Sequence, residues 1–159
     1  MRARDLARPL PTVRFDDDVL DAARLLATRT LPGLVVLDDA EHPVAILPGS
    51  QVLALALPGW VKDDPALARV TGDDAARELC GQLAGRTLRE LLPEAELRDL
   101  EQVDAAASAL EVAALMARMH TPVVAVVDRA QGGRYLGVVT TSAVLGVLLP
   151  EAPAAQDQP

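Results

Sequence analysis

The sequence predicts a mixed α+β fold in which one β-α-β-β-α unit is used twice. Three observations carry that reading. When the chain is slid so that Asp17 falls on Ala107, Asp17–Asp38 lies over Ala107–Asp128 without a gap, with Leu20 on Leu110, Ala23 on Ala113, Pro32 on Pro122 and Asp38 on Asp128. After a two-residue insertion, Val44–Pro58 lies over Leu136–Pro150, with Ser50 on Ser142, Leu53 on Leu145 and Pro58 on Pro150. Both copies also change periodicity at the same place, from helically spaced apolar residues to an unbroken apolar run.

Each copy opens with a short strand, around Val13 and Val103. A helix is predicted over Asp18–Arg29, where Val19, Ala22, Ala23 and Leu26 recur at helical spacing and share one face; Ala109, Val112, Ala113 and Met116 repeat the pattern. Asp18 and Ser108 are good N-cap residues, and Ser108 with Glu111 has capping-box spacing. Pro32 and Pro122 stop the helices. Leu34–Leu37 and Val123–Val127 are continuous apolar runs, as in strands covered on both faces. Turns follow at Asp38–Pro43 and Asp128–Arg134, the second rich in glycine. A second strand, Val44–Leu47 or Leu136–Val139, leads to a short apolar helix over Ser50–Leu57 or Ser142–Leu149, which ends each copy at Pro58 or Pro150.

This order divides the chain into repeat 1 over 1–58, a helical insert over 59–85, repeat 2 over 86–150 and a tail over 151–159. Within the insert, Asp63-Asp64-Pro65 marks a helix start, and Asp73–Leu83 reads as a second helical piece ended by Gly85. Pro93–Leu100 reads as a polar insertion that the first copy lacks. The tail has no periodic apolar residue, so disorder is expected there and its removal should leave stability unchanged.

Composition narrows the function. Half of the 159 residues are apolar, and Phe15, Trp60 and Tyr135 are the only aromatic ones. The core must therefore be aliphatic, and no aromatic platform for single-stranded nucleic acid exists. A net charge of −8 opposes binding to phosphate backbones and anionic membranes, so no nucleic acid is expected. Leu136–Leu149, the longest uncharged stretch near the C-terminus, falls short of the ~20 residues of a membrane span, so no membrane insertion is expected. The first residues mix Arg and Asp with proline and lack the apolar segment of a signal peptide, and the lone Cys80 cannot build a disulfide framework. The expectation is a cytoplasmic protein. Its Arg- and Ala-rich, Lys-poor composition fits a high-GC bacterial genome.

The order of elements and the closing motif resemble the CBS (cystathionine-β-synthase-type) domain family over about 3–58 and 86–149. The family's closing pattern is Gly, two apolar residues, Thr or Ser, two variable residues, Asp, then an apolar residue. Gly137-Val-Val-Thr-Thr-Ser-Ala-Val144 fits it except at the Asp, whereas Ala45-Ile-Leu-Pro-Gly-Ser-Gln-Val52 keeps only the apolar frame. The resemblance implies two repeats packed as a pseudo-twofold pair, a Bateman module that commonly forms homodimers. It implies an adenine nucleotide or S-adenosyl compound as ligand, and a regulated partner protein. The ligand-binding set it implies is Val103, Pro122, Val124, Gly137, Thr140 and Thr141. In the family the motif's Asp accepts hydrogen bonds from a ribose diol. Ala143 and Gln51 stand in its place here, so only weak adenosine binding is expected. The alternatives are a ligand-free dimerisation or docking scaffold and, behind it, an enzyme.

Thr140 and Thr141 could set hydroxyls and helix-start amides against a phosphate, or Thr141 or Ser142 could simply cap the helix. Capping is favoured at the matching Gly49-Ser50, because Pro48 there lacks an amide proton. His42 and His120 have no companions at metal-ligand spacing. Cys80 reads as a packed thiol beside Leu79 and Leu83, and Asp16-Asp17-Asp18 as an acidic helix start favoured by the macrodipole. The chain carries no nucleophile elbow, phosphate loop or dinucleotide fingerprint, so neither a catalytic residue nor a metal is expected. Apolar faces at Ala54–Leu57 and Val144–Leu149 predict a homodimer.

Overall fold

The computed structural model describes residues 1–29, 33–70, 72–92 and 98–149. Its elements run α1 (Ala3–Leu6), β1 (Thr12–Arg14), α2 (Val19–Arg29), β2 (Gly33–Leu37), β3 (Pro43–Pro48), α3 (Gly49–Ala56), α4 (Gly59–Asp63), α5 (Asp73–Gly81), α6 (Leu88–Leu91) and β4 (Arg98–Asp99). Then follow β5 (Gln102–Asp104), α7 (Ala109–Met119), β6 (Val123–Asp128), β7 (Arg134–Thr140) and α8 (Thr141–Leu148), with 3-10 turns at Pro65–Val70 and Arg129–Gln131. The fold is α+β, and both copies carry the β-α-β-β-α order read from the sequence. The expectations placed on Pro32, Pro93, Pro150 and the tail 151–159 fall outside the described residues.

The chain divides into two compact units: Leu10–Leu100, and Met1–Pro9 together with the chain from Glu101 on. In the first, β1 pairs parallel with β2, β2 antiparallel with β3, and β3 antiparallel with β4. Helix α2 supplies the crossover that a parallel pair requires. The second unit repeats this with β5 parallel to β6, β6 antiparallel to β7, and α7 as the crossover. The first core gathers Val13, Phe15, Val19, Leu26, Leu34, Val36, Leu47 and Val52. The second gathers Val103, Val112, Met116, Val124, Val126, Val139 and Val144. Each aliphatic side chain taken fully out of water contributes roughly 1.5–3 kcal/mol, so these two clusters dominate the fold's stability.

Both long helices start as the caps predict. Asp18 Oδ1 accepts from the amides of Leu20 (2.8 Å) and Asp21 (3.2 Å), and its Oδ2 accepts from Gly85 N at 2.6 Å. Ser108 and Glu111 close a reciprocal capping box, with Glu111 N to Ser108 Oγ at 3.2 Å and Ser108 N to Glu111 Oε2 at 2.6 Å. These bonds favour the charged carboxylates. The Gly85 amide foremost holds Asp18 below its ordinary pKa, and the Ser108 amide does the same for Glu111.

The units do not follow the repeat boundaries. Helix α1 opens the first repeat in sequence, yet Ala3 and Leu6 are buried in the second core; Leu88 and Leu92, which open the second repeat, are buried in the first. The two dockings match bond for bond. Ala3 N donates to Ala107 O (2.8 Å) and Arg4 N to Ala105 O (3.1 Å), as Leu88 N donates to Asp17 O (3.1 Å) and Arg89 N to Phe15 O (2.8 Å). A four-residue helix cannot persist unsupported, so each takes its stability from the core on which it rests.

Two segments depart from what their sequence suggests. Pro93–Leu100 is not simply an insertion: Arg98–Asp99 forms β4, with Arg98 opposite Ile46 and Asp99 opposite Ala45, and Leu100 is buried. Its counterpart is the bridge between Arg8 and Val138, which the repeat comparison misses because it begins at Asp17. Cys80 is not a packed thiol. Helix α5 buries none of its residues, Cys80 is exposed, and the core contact of this stretch falls on Leu83, past the helix end.

Candidate ligand site

The six residues proposed for ligand contact separate into two groups. Val103 on β5 and Val124 on β6 lie inside the second core, opposite Val126 and Val139 respectively, and pack there. Gly137 sits on β7 beside a bulge, where the pairing passes from Val126–Gly137 to Val127–Tyr135. Its φ of +148° is one that side chains disfavour, and a Cβ built there would lie 2.7 Å from Arg8 O and 2.9 Å from Arg8 C. Arg8 N and Val138 O, and Val138 N and Arg8 O, are each 2.9 Å apart. The close passage of the Arg8–Pro9 backbone is therefore what requires glycine at 137.

Pro122, Thr140 and Thr141 do come together, at the end of β7 and the start of β6. Thr141 donates to Pro122 O from both its amide (3.0 Å) and its hydroxyl (3.2 Å). The cap of α8 is Thr140, not Thr141 or Ser142 as expected: the helix begins one residue earlier, at Thr141, and Thr140 Oγ1 accepts from Ala143 N at 3.4 Å. Thr140 Oγ1 also lies 2.9 Å from Ser142 Oγ. Both threonine hydroxyls thus already serve the turn.

Next to this turn, α7 and α8 flank an apolar groove of about 480 Å³. Met116, His120, Pro122, Thr141, Leu145 and Leu148 are among its lining residues, and no carboxylate is. His120 takes the left-handed conformation (φ +52°) at the C-cap of α7, which turns the chain toward Pro122 and β6. Such a lining suits apolar side chains better than a phosphate.

A family model for the CBS domain matches residues 3–56 and again 95–150. The chain belongs to the CBS domain family. It is 40% identical to a CBS domain-containing protein of unknown function from Kribbella flavida DSM 17836, with a TM-score of 0.83 over 94% of this chain and 99% of that one. It is 25% identical to the CBS domain of a CBS domain-containing membrane protein from Sphaerobacter thermophilus, with a TM-score of 0.69 over 94% and 88% of the two chains. CBSX2 from Arabidopsis thaliana, solved in complex with AMP, shares the fold at 22% identity, with a TM-score of 0.59 over 92% and 94%. No protein with a curated description matches.

Within this CBS pair the two closing motifs differ in detail. In the second, the position of the family's Asp is Ala143, whose amide caps onto Thr140 and whose side chain packs partly buried on the core. In the first, the N-cap of α3 is Pro48, which makes no side-chain cap, so the expected capping by Gly49 or Ser50 is not realised. Proline has no hydroxyl to offer, and Ser50 is already inside the helix. Gln51 is half-buried on α3.

The other polar candidates are absorbed by structure. Asp16 accepts from Arg89 Nε (2.8 Å), Asp17 from Arg14 N (2.7 Å), and Asp18 caps α2, so the acidic triplet is dispersed over three separate partners. His42 Nδ1 lies 3.6 Å from Asp38 Oδ2. Among the described residues no three His, Cys, Asp or Glu side chains are grouped to hold a metal ion, and no helix is long and apolar enough to cross a membrane. Sequence reasoning missed the Arg8–Pro9 strap and the groove. The likeness of Arg2–Leu6 to Thr87–Leu91, and the recurrence of Val144, Leu145 and Leu148 on α8, were the available signals.

Proposed function

We propose that this CBS pair is a regulatory module that senses a small molecule and passes its state to a partner protein without catalysing a reaction. The observation that supports it is the second closing motif, where Pro122, Thr140 and Thr141 converge at the first turn of α8. The ligand class put forward is an adenine nucleotide or S-adenosyl compound, in keeping with the AMP complex of CBSX2. We place it in the cytoplasm of a bacterium, as a homodimer. The exposed Leu53, Leu57, Leu145, Leu148 and Leu149 support self-association, because a lone chain leaves them in water.

Adenosine binding should be weak. Ala143 offers no side-chain acceptor to a ribose diol, and hydrogen bonds to a charged group are worth roughly 1.5–3 kcal/mol, about tenfold to hundredfold in affinity. Calorimetry with AMP, ATP and S-adenosylmethionine on the unaltered protein and on Ala143→Asp tests this. The expected result is weak binding that tightens about tenfold or more in the variant. Affinity of the unaltered protein at roughly micromolar or better would overturn the ribose argument.

A second reading, a ligand-free docking scaffold, draws on the same turn. The hydroxyls of Thr140 and Thr141 are engaged within the chain, and Ala143 is partly buried against the core. Binding by neither protein in that experiment selects it.

A further inference from the structure

We propose that Met1–Pro9 is a detachable brace for the C-terminal unit. The start of the chain sets how firmly β7 and the turn into α8 are held, while the first unit, whose repeat it opens in sequence, is indifferent to it. This inference does not depend on whether a ligand binds.

Burial places the brace in the second core, where Ala3 is fully buried and Leu6 nearly so. Backbone bonds fix it at both ends. Ala3 N and Arg4 N donate to the chain just before α7, and Arg8 exchanges two hydrogen bonds with Val138 along the outer edge of β7. Arg2 adds a guanidinium bond to Ala106 O at 2.8 Å, and Arg4 Nε one to Ala105 O at 3.3 Å. Gly137 is cut to receive it, since even a methyl group would collide with Arg8.

The same features make it releasable. A four-residue helix has no stability of its own, so once Leu6 leaves its pocket the segment unfolds as a whole. Segments held by few apolar contacts open well below the global unfolding energy. Met1 is 69% exposed, so that end of the segment can be reached from solvent. A modification or partner acting on the first nine residues would therefore loosen the second closing motif, although the sequence assigns those residues to the first repeat.

Hydrogen exchange followed by mass spectrometry on the full chain tests the inference, with Leu6→Ala compared against Leu88→Ala. Leu6→Ala should speed exchange in β5, β6 and β7 by about tenfold or more and leave β1, β2 and β3 unchanged. Leu88→Ala, which strips the matching helix from the first unit, should do the reverse. Equal loosening of both units by Leu6→Ala, or none in β7, overturns the proposal. The unaltered protein decides the matter if a variant fails to fold. There the amides of Ala3, Arg8 and Val138 should share one opening event and exchange ahead of the Ala125 amide, which donates to Glu101 O at 2.7 Å. Exchange of all four together would show that the brace never detaches alone, and would sink the idea.

Discussion

Replacing Gly137 by alanine puts one methyl group where the backbone of Arg8 already runs. The new Cβ would stand 2.7 Å from Arg8 O and 3.2 Å from Pro9 N, against roughly 3.5 Å for an unstrained contact. The strap must move away, and the two 2.9 Å bonds between Arg8 and Val138 lengthen with it. Their loss costs about 0.5–1.5 kcal/mol each. Holding an alanine at φ +148° adds about 1–3 kcal/mol, offset by about 0.4–1 kcal/mol from the stiffer unfolded chain. The net is about 1–5.5 kcal/mol. For a chain of this length that lowers the melting temperature by about 2–22 °C in a thermal scan followed by circular dichroism. Gly81→Ala is the control: a Cβ at the end of α5 meets nothing within 4 Å, so it should be neutral or stabilise by up to about 1 kcal/mol. If the two variants melt within about 2 °C of each other, the close approach at Gly137 carries no energy and the account of the strap fails.

Acid should weaken the fold through carboxylates that accept from backbone amides. The carboxyls of Asp18, Asp104 and Glu111 are held below their ordinary values, foremost by the amides of Gly85, Ala106 and Ser108. A lowered carboxyl contributes stability that is complete above its unfolded value, 3.8 for Asp and 4.5 for Glu, and is lost as the pH falls through the lower folded value. Asp18→Asn should therefore be less stable than the unaltered protein in denaturant titrations at neutral pH, with a deficit that shrinks below about pH 4; a deficit constant from neutrality to about pH 3 refutes the assignment. Light scattering should give about twice the chain mass, and Leu145→Asp combined with Leu148→Asp should return the single-chain mass. A monomer of the unaltered protein at tens of micromolar, roughly the concentration at which a weak dimer forms, counts against self-association.

Much of this fold was legible because it rests on local physics. The spacing of Val19, Ala22 and Leu26, and of Ala109, Val112 and Met116, is a property of the helix itself, and those residues are buried. Ser108 and Glu111 announce their capping box within four residues of sequence, and Val123–Val127 reads as a covered strand because nothing polar interrupts it. Likewise the missing Asp of the closing motif is plain in the letters Ala143 and Gln51.

What tertiary structure alone decided lies in the short and the ambiguous segments. Helix α1 has too few residues for a periodic signal, and its partners Ala105 and Ala107 are far along the chain, so nothing local says which core receives it. Gly137 looked like part of a ligand motif, since a glycine in a sequence does not say which backbone will cross it; Arg8 crosses it. Cys80 shares a helical stretch with Leu79 and Leu83, but only Leu83 reaches the core, because α5 lies with its residues outward. Pattern fixes which face of a long element is apolar. Where that face docks, and which short segment completes it, depends on contacts between residues distant in sequence, and these exist only once the chain has folded.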